Sequence, residues 1–355
     1  MLETYGWSDG LQRDFAPHAA AGLVPGRVIA QHRDRYGLYT ATGETAAEIS
    51  GRLARDADWG GYPVAGDWVA AEPPPGDGPA IIQHVLPRRT AFTRKAAGRT
   101  GEIQVVAANV DVAFLVASLN ADLNPRRLER YLAAARQSGA AAVVLLTKAD
   151  LCPDASADLA RVTAIAAGAP ILVLSSLTGE GLEAVRAYLS PGRTAVMVGS
   201  SGAGKSTLAN VLLGSERMAT AAIREDDARG RHTTSHRELI LLPGGGLLLD
   251  TPGMRELALG EATEGVAATF EDIEALTASC RFSDCSHTNE PGCSVQAALE
   301  SGELDGGRWR GYQKLAREVA HQARQEDPLL REQNRKRWIQ IHKANRARYK
   351  FRDRD

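Results

Sequence analysis

Short apolar runs separated by Gly, Asp and Pro dominate the chain between residues 24 and 90. GRVIAQ, YGLYTAT, TAAEISGRLA, GDWVAAE and AIIQHVL are rich in Val, Ile, Tyr and small residues. Runs this short, bounded by turn formers, predict the strands of a small antiparallel β-barrel or sandwich. Pro73–Pro79 must then be a loop between two strands. Residues 1–23 carry no strong periodicity and are expected to form a loosely held N-terminal extension. The barrel should end near Pro87, and RRTAFTRKAAGRTG (88–101) is basic and loop-like, as a linker would be.

From Val105 the pattern becomes alternating strand and helix. VDVAFLVAS (110–118), AAVVLLT (141–147), PILVLSS (170–176) and TAVMVG (194–199) are nearly continuous apolar runs, as in parallel strands buried on both faces. PRRLERYLAAARQSG (125–139), ADLARVTAIAA (157–167), EGLEAVRAYL (180–189) and STLANVLLG (206–214) read as the intervening helices. RELILLP and GGLLLDT (237–251), joined by a glycine-rich turn, predict a β-hairpin. This alternation predicts a doubly wound α/β domain over residues 102–262. Residues 268–355 are helical and charged, and the total of 355 residues suits two or three domains.

The chemistry sits in the turns of the α/β domain. GSSGAGKST (199–207) follows an apolar strand and opens a helix, the context of a phosphate loop. Gly199, Ser200, Ser201, Gly202, Ala203, Gly204, Lys205, Ser206 and Thr207 are therefore expected to line a triphosphate. Backbone N–H groups and the helix N-terminus would cradle the anion. Lys205 would bridge the β- and γ-phosphates as a catalytic cation, and the Ser206 hydroxyl would ligate Mg²⁺. In TKAD (147–150), Asp150 would accept from the two guanine donors that adenine lacks, and the Lys148 stem would lie along the base. Thr147 stands where Asn is usual and would brace neighbouring loops. Ser175 and Ser176 end the next strand, where a second base-contacting loop belongs. Asp250 in DTPG (250–253) would hold Mg²⁺, with the Gly253 N–H on the γ-phosphate.

These are the parts of a GTP-hydrolysing site, but the base reader precedes the phosphate loop, the reverse of the ordinary order. Met254 occupies the position where many GTPases place a glutamine, so unaided hydrolysis should be slow. In RGRHTTSHREL (229–239), Thr233 or Thr234, here taken as Thr234, would reach Mg²⁺. His232 beside them is either a water-orienting catalytic residue or an exposed loop histidine. Two other readings stay open: a P-loop ATPase or kinase with a chance K-x-D, and a nucleotide-switched RNA-binding scaffold with little turnover.

Cys280, Cys285, His287 and Cys293 form C-x₄-C-x-H-x₅-C, a closed tetrahedral ligand set for one structural zinc ion. Cys152 is expected to be a small packing residue. The formal net charge of −1 conceals a split. Residues 308–355 carry 15 Lys/Arg against 6 Asp/Glu, a net +9 interleaved with Trp309, Trp338, Tyr349 and Phe351. Such an arm suits a polyanion, and RNA in particular. With 44% hydrophobic residues, no N-terminal signal pattern and no apolar run of ~18 residues, the chain is expected to be cytoplasmic and away from membranes. Its cysteines should then be reduced or metal-bound.

TKAD, SSLTGEG, GSSGAGKST, RGRHTT, DTPG and the Cys/His spacing, in that order, resemble the RsgA family of circularly permuted small-ribosomal-subunit biogenesis GTPases. GDWV, LPRRTAFTR and AANVDVAFLVAS extend the likeness over about residues 24–350. The resemblance implies an OB-fold barrel (24–90), a permuted G domain (102–262) and a zinc-binding helical domain with a basic tail (268–355). It also implies GTP hydrolysis to GDP stimulated by the small (30S) ribosomal subunit, contacts with its 16S rRNA, a role in late maturation of that subunit, and His232 as the catalytic histidine. A monomer is expected.

Overall fold

The structure, a computed structural model, describes residues 2–32, 35–56, 61–74, 76, 78–95, 103–120, 123–216, 218, 237–250 and 263–326. Five strands form the first unit: β1 (Val24–His32), β2 (Arg35–Thr40), β3 (Gly43–Ile49), β4 (Trp68–Glu72) and β5 (Ala80–Val85). β1 pairs with both β2 and β4, β3 pairs with β2 and β5, and β5 pairs with β4, so the sheet closes into a barrel. Closure selects the barrel over the sandwich and leaves no edge within the ring. Val28, Leu38, Val69 and Ile82 fill its interior. The run TAAEISGRLA is not all strand. Ser50 Oγ accepts from the Leu53 N–H at 3.1 Å and starts the short helix α1 (Gly51–Asp56).

The N-terminal extension is not loosely held. Residues 2–5 form a 3₁₀ turn, and a capped helix spans Asp9–Ala19, labelled α0 because it precedes the barrel. Leu11 and Phe15, four residues apart, are 2% and 4% exposed. Tyr5 stacks on Tyr39 at 3.8 Å, and Trp7 meets Trp68 edge-on at 4.8 Å. Four apolar anchors spread over eleven residues make too thin a stripe to stand out as periodicity. They explain why β4 is buried on both faces: Val69 and Ala71 point into the barrel, while Trp68 and Ala70 lie under the extension. A Cβ on Gly6 would lie 2.6 Å from the Gly192 carbonyl oxygen, so the extension seats directly on the turn before the central strand of the next domain.

Part of the supposed linker is a strand. β6 (Ala91–Lys95) pairs with β7 (Ile103–Ala108), and Phe92 is 1% exposed. The α/β sheet then runs β10–β9–β8–β11–β13–β12, with β8 (Val112–Ser118), β9 (Ala141–Thr147), β10 (Ile171–Val173), β11 (Thr194–Gly199), β12 (Arg237–Leu241) and β13 (Leu247–Asp250). All neighbours are parallel except the β12–β13 hairpin. Helices α2 (Pro125–Ser138), α3 (Ser156–Ala166), α4 (Leu182–Arg186) and α5 (Lys205–Leu213) fall where the periodicity predicts, although α4 is shorter than EGLEAVRAYL. Asn124 caps α2 and Pro125 starts it, and Gly139 ends it.

β12 also pairs with barrel strand β1, Ala30 facing Glu238 and Gln31 facing Arg237, so barrel and α/β domain share one eleven-stranded sheet. Arg27 of β1 is fully buried at the junction. Its guanidinium donates to the Tyr5 carbonyl (3.1 Å), the Asn109 carbonyl (3.3 Å) and Thr194 Oγ1 (3.2 Å). Burial pulls its pKa down to about 10.

Four further helices follow: α6 (Thr263–Thr269), α7 (Glu271–Ala278), α8 (Ser294–Ser301) and α9 (Gly306–Glu326). Arg308 at the start of α9 bonds Glu129 of α2 (2.6 Å) and both carboxylate oxygens of Asp272 (2.7 and 2.8 Å). Glu129 is completely buried. No helix among the described residues is long and apolar enough to cross a membrane.

Truncating Phe15 to Ala removes the main anchor of α0 and should cost about 3 kcal/mol of local stability. Amide exchange within residues 9–19 should then accelerate by about a hundredfold, as read by mass spectrometry. Unchanged exchange would mean that this face does not hold the extension.

Candidate nucleotide site and metal cluster

The parallel strands β8, β9, β10, β11 and β13 end along one edge of the sheet. The winding of the connections reverses between the parallel neighbours β8 and β11: from β8 they run outward through β9 to β10, and on the other side of β11 lie β13 and β12. The crevice at such a reversal is where open α/β sheets bind ligands. β11 ends there at Gly199, packed so closely on β8 that an added Cβ would lie 2.3 Å from the Val116 carbonyl oxygen. Residues 200–204 turn into α5, whose Leu208, Ala209 and Leu212 are buried. Lys205 Nζ donates to the carbonyls of Gly199 (2.8 Å) and Ser200 (2.5 Å), so its ammonium lies over the mouth of the loop. Ser206 lies in the first turn of α5 and Thr207 follows it.

Thr147, at the end of β9, is 2% exposed. Its Oγ1 lies 2.7 Å from the Ala203 carbonyl and 3.3 Å from that of Ala117. A single side chain therefore joins the TKAD turn to the phosphate loop across more than fifty residues of sequence. Lys148 follows with φ of 61°, a backbone state that non-glycine residues seldom adopt and that is often found at functional turns. Asp150 Oδ1 accepts from Ser175 Oγ at 2.5 Å, and the same Oγ accepts from the N–H groups of Leu177 and Thr178, each at 3.2 Å. Ser175 is fully buried, so it acts on Asp150 from behind, while Ser176 is half-buried. Asp250 ends β13, next to β11 in the sheet. The edge thus brings together the 199–207 loop, Thr147, Lys148, Asp150, Ser175, Ser176 and Asp250. His232, Thr233, Thr234, Gly253 and Met254 lie outside the described residues, as do residues 327–355 of the tail.

A second cluster lies between α7 and α8. One ligand atom each from Cys280, Cys285, His287 and Cys293 falls within 4.8 Å of all the others. Cys280 Sγ is 3.9 Å from Cys293 Sγ, and His287 Nδ1 is 3.5 and 3.6 Å from these two sulfurs. A tetrahedral ion with metal–sulfur bonds of ~2.3 Å requires sulfur–sulfur edges of about 3.8 Å, so the set fits a zinc site. Three supports were not visible in the ligand spacing. Gln296 Nε2 donates to the His287 carbonyl at 2.5 Å, Glu290 accepts from the N–H groups of Ser286, Thr288 and Asn289, and Trp309 packs edge-on against the His287 ring. The Ser286 hydroxyl, then the Ser286, Glu290 and Thr288 backbone N–H groups, hold the Glu290 carboxyl down at about 2. Only the amide and carboxylate at 296 and 290 offered any hint in the sequence, and such residues are too common to be singled out.

Strand neighbours of a nucleotide-binding sheet are kept here while chain order is rearranged, which defines a circularly permuted GTPase with a closed five-stranded barrel appended. A family model described as RsgA GTPase matches residues 85–260. The small ribosomal subunit biogenesis GTPase RsgA of Opitutus terrae is 48% identical, over 98% of this chain and 97% of that protein. The chain belongs to the RsgA GTPase family. YjeQ from Thermotoga maritima superposes with a TM-score of 0.60 at 26% identity, over 84% of this chain and 99% of that structure. YloQ, a circularly permuted GTPase, shares the fold with a TM-score of 0.58 at 24% identity, over 84% of this chain and 96% of that structure.

The cluster geometry predicts one divalent metal ion per chain, measurable by mass spectrometry of the purified protein. Chelation or Cys293→Ser should remove the ion and raise amide exchange through α7 and α8, since ligand binding and local folding are coupled. Full protection without metal would contradict a structural ion.

Proposed function

We propose that the protein hydrolyses GTP to GDP and phosphate, binds the small (30S) ribosomal subunit through its 16S rRNA, is stimulated by that subunit, and assists its late maturation. The observation that carries the GTP site is the pair of contacts Thr147–Ala203 and Asp150–Ser175, which ties a base reader to a phosphate loop. In this reading the 199–207 backbone and Lys205 grip the triphosphate, and Lys205 exchanges its two carbonyl partners for β- and γ-phosphate oxygens. Asp150, held by Ser175, accepts from guanine, and Lys148 and Ser176 flank the base. Ser206, Asp250 and Thr234 are the residues that would hold Mg²⁺, and Gly253 would meet the γ-phosphate. The ion, when bound, neutralises charge on the β- and γ-phosphates. Thr147 takes over the bracing usually done by asparagine: its hydroxyl has the reach to hold the loop carbonyl.

Met254 has no proton-accepting group, so the chemistry needs help from elsewhere. His232 supplies it, orienting water once the subunit is engaged. The names of the relatives support the subunit as partner, and the +9 charge of residues 308–355 suits its RNA. The Cys/His set holds zinc as a structural ion, since four protein ligands leave no position for water.

Asp150→Asn should weaken GTP binding by about tenfold or more, the cost of a charged hydrogen bond, and should narrow the preference over ATP in competition titrations. Retained preference would remove Asp150 as the base reader. Turnover assayed with and without purified 30S subunits should rise with subunits, and His232→Ala should abolish most of that rise while leaving GTP binding intact. Nucleotide binding without turnover in either condition would favour a switched RNA-binding scaffold instead.

A further inference from the structure

A cavity of about 510 Å³ lies beside the metal cluster, between the end of α7, the ligand-bearing loop and one face of α9. It belongs neither to the nucleotide site nor to the cluster's ligand sphere, although Cys285 and His287 form part of its wall. Its size lies within the ~300–1,000 Å³ of small-ligand pockets. Three aromatic rings line it: Phe282, Trp309 and Tyr312. Trp309 is stacked on Tyr312 (5.5 Å between centroids, 21°) and set edge-on to His287 (5.6 Å, 88°), so the metal cluster helps fix its plane. Tyr312 is held in turn by a 2.9 Å bond from its hydroxyl to Glu274. Phe282 is 42% exposed, an unusual position for a large apolar ring.

The polar part of the wall narrows the choice of occupant. Ser283, Gln313 and Arg317 stand around the rings. Neither Gln313 nor Arg317 is bonded to another side chain among the described residues, so an amide with both donor and acceptor and an exposed guanidinium face the opening. Arg281 lies over the Phe282 ring at 5.5 Å, which adds a second cation at the rim. In the sequence, residues 327–355 that follow α9 carry 10 Lys/Arg against 4 Asp/Glu, which is +6 of the net +9 of residues 308–355. Flat apolar walls, a hydrogen-bonding edge and flanking cations match a base with its phosphate. Aromatic stacking on unpaired bases is the usual means of gripping single-stranded RNA.

We propose that this cavity receives one unpaired nucleotide of an RNA strand, its base against Phe282 and Tyr312, which the buried Trp309 (8% exposed) backs from behind, its edge read by Gln313 and its phosphate met by Arg317. The proposal rests on the reading of the protein as a ribosomal-subunit GTPase. It adds a base-holding site on the metal-bound module, separate from the GTP site. A peptide side chain is the competing occupant.

The test uses the full-length, metal-loaded protein and a uridine pentaribonucleotide with a central 4-thiouridine, cross-linked by light and mapped by mass spectrometry. The same pentamer and a version with an abasic centre are then titrated at fixed salt by fluorescence anisotropy. Cross-links should map to peptides containing Phe282, Trp309 or Tyr312. The double variant Phe282→Ala/Arg317→Ala changes two exposed side chains and should keep its metal and its unstimulated GTP turnover. It should bind the base-containing pentamer about tenfold more weakly, the scale of one lost stacked base, while its affinity for the abasic pentamer changes much less. Cross-links confined to other peptides, no binding of either pentamer, or equal affinities for wild type and variant would overturn the assignment. Loss of subunit binding in the variant with unchanged pentamer binding would assign the cavity to a protein partner and likewise overturn it. Failure of the ribosomal reading is seen separately, as wild-type GTP turnover that subunits do not stimulate.

Discussion

One buried guanidinium fixes the frame on which the rest is built. Arg27 is fully removed from solvent, and a charge so placed must find partners. It finds them in three different segments: the Tyr5 carbonyl in the extension, the Asn109 carbonyl after β7, and Thr194 Oγ1 at the first residue of β11. The Trp68 ring lies beneath it at 5.2 Å. Moving any one of these segments would strand part of the charge without an acceptor. The barrel, the extension and the base of the phosphate-loop strand are therefore held in one arrangement. Pairing of β1 with β12 fastens the barrel to the same sheet at a second point, at the residue next to the 219–236 segment.

That arrangement explains how a permuted chain keeps an ordinary site. A sheet is specified by which strands are neighbours, and hydrogen bonds between neighbours do not depend on the order in which the strands were made. β9 and β11 lie on either side of β8, so TKAD and the 199–207 loop meet at the same edge although TKAD comes first in the chain. The termini of a doubly wound domain can move when the new ends lie at its surface. Here the new ends are put to use: the barrel continues the sheet beyond β12, and α6 and α9 pack on α2, which follows β8.

The contact between α9 and α2 has the same character as the Arg27 junction. Arg308 reaches Glu129 and Asp272 at once, with Glu129 buried and Arg308 nearly so. Arg130, the residue after Glu129, forms a second pair with Glu318, nearly three turns further along α9 than Arg308. Charged partners of this kind specify a relative orientation more than they add stability. They fix how α9, which carries Trp309 and Tyr312 beside the Cys/His cluster, sits on α2 of the α/β domain. Between α7 and α8 the four ligand atoms of Cys280, Cys285, His287 and Cys293 converge within 4.8 Å of one another in a segment with few buried apolar side chains.

Much of this was legible in the residues themselves. The GSSGAGKST, TKAD and Cys/His motifs stand out in the sequence because each chemistry tolerates few residue types at few separations. The buried parallel strands are legible because two covered faces demand continuous apolar runs. The packed extension was not, for its anchors Tyr5, Trp7, Leu11 and Phe15 are sparse and acquire meaning only against Trp68 and Tyr39. β6 was not, because RRTAFTRK is polar enough to read as a linker until Phe92 is seen buried. Nor could spacing show that Thr147 would bond Ala203, that Ser175 would stand behind Asp150, or that Phe282, Trp309 and Tyr312 would share one cavity. Local sequence determined the chemical identity of the parts, because that chemistry is short-ranged and written in consecutive residues. Only the tertiary structure decided which parts meet, because those contacts depend on strand order, on buried charges seeking acceptors and on helix orientation, all of which join residues far apart in the chain.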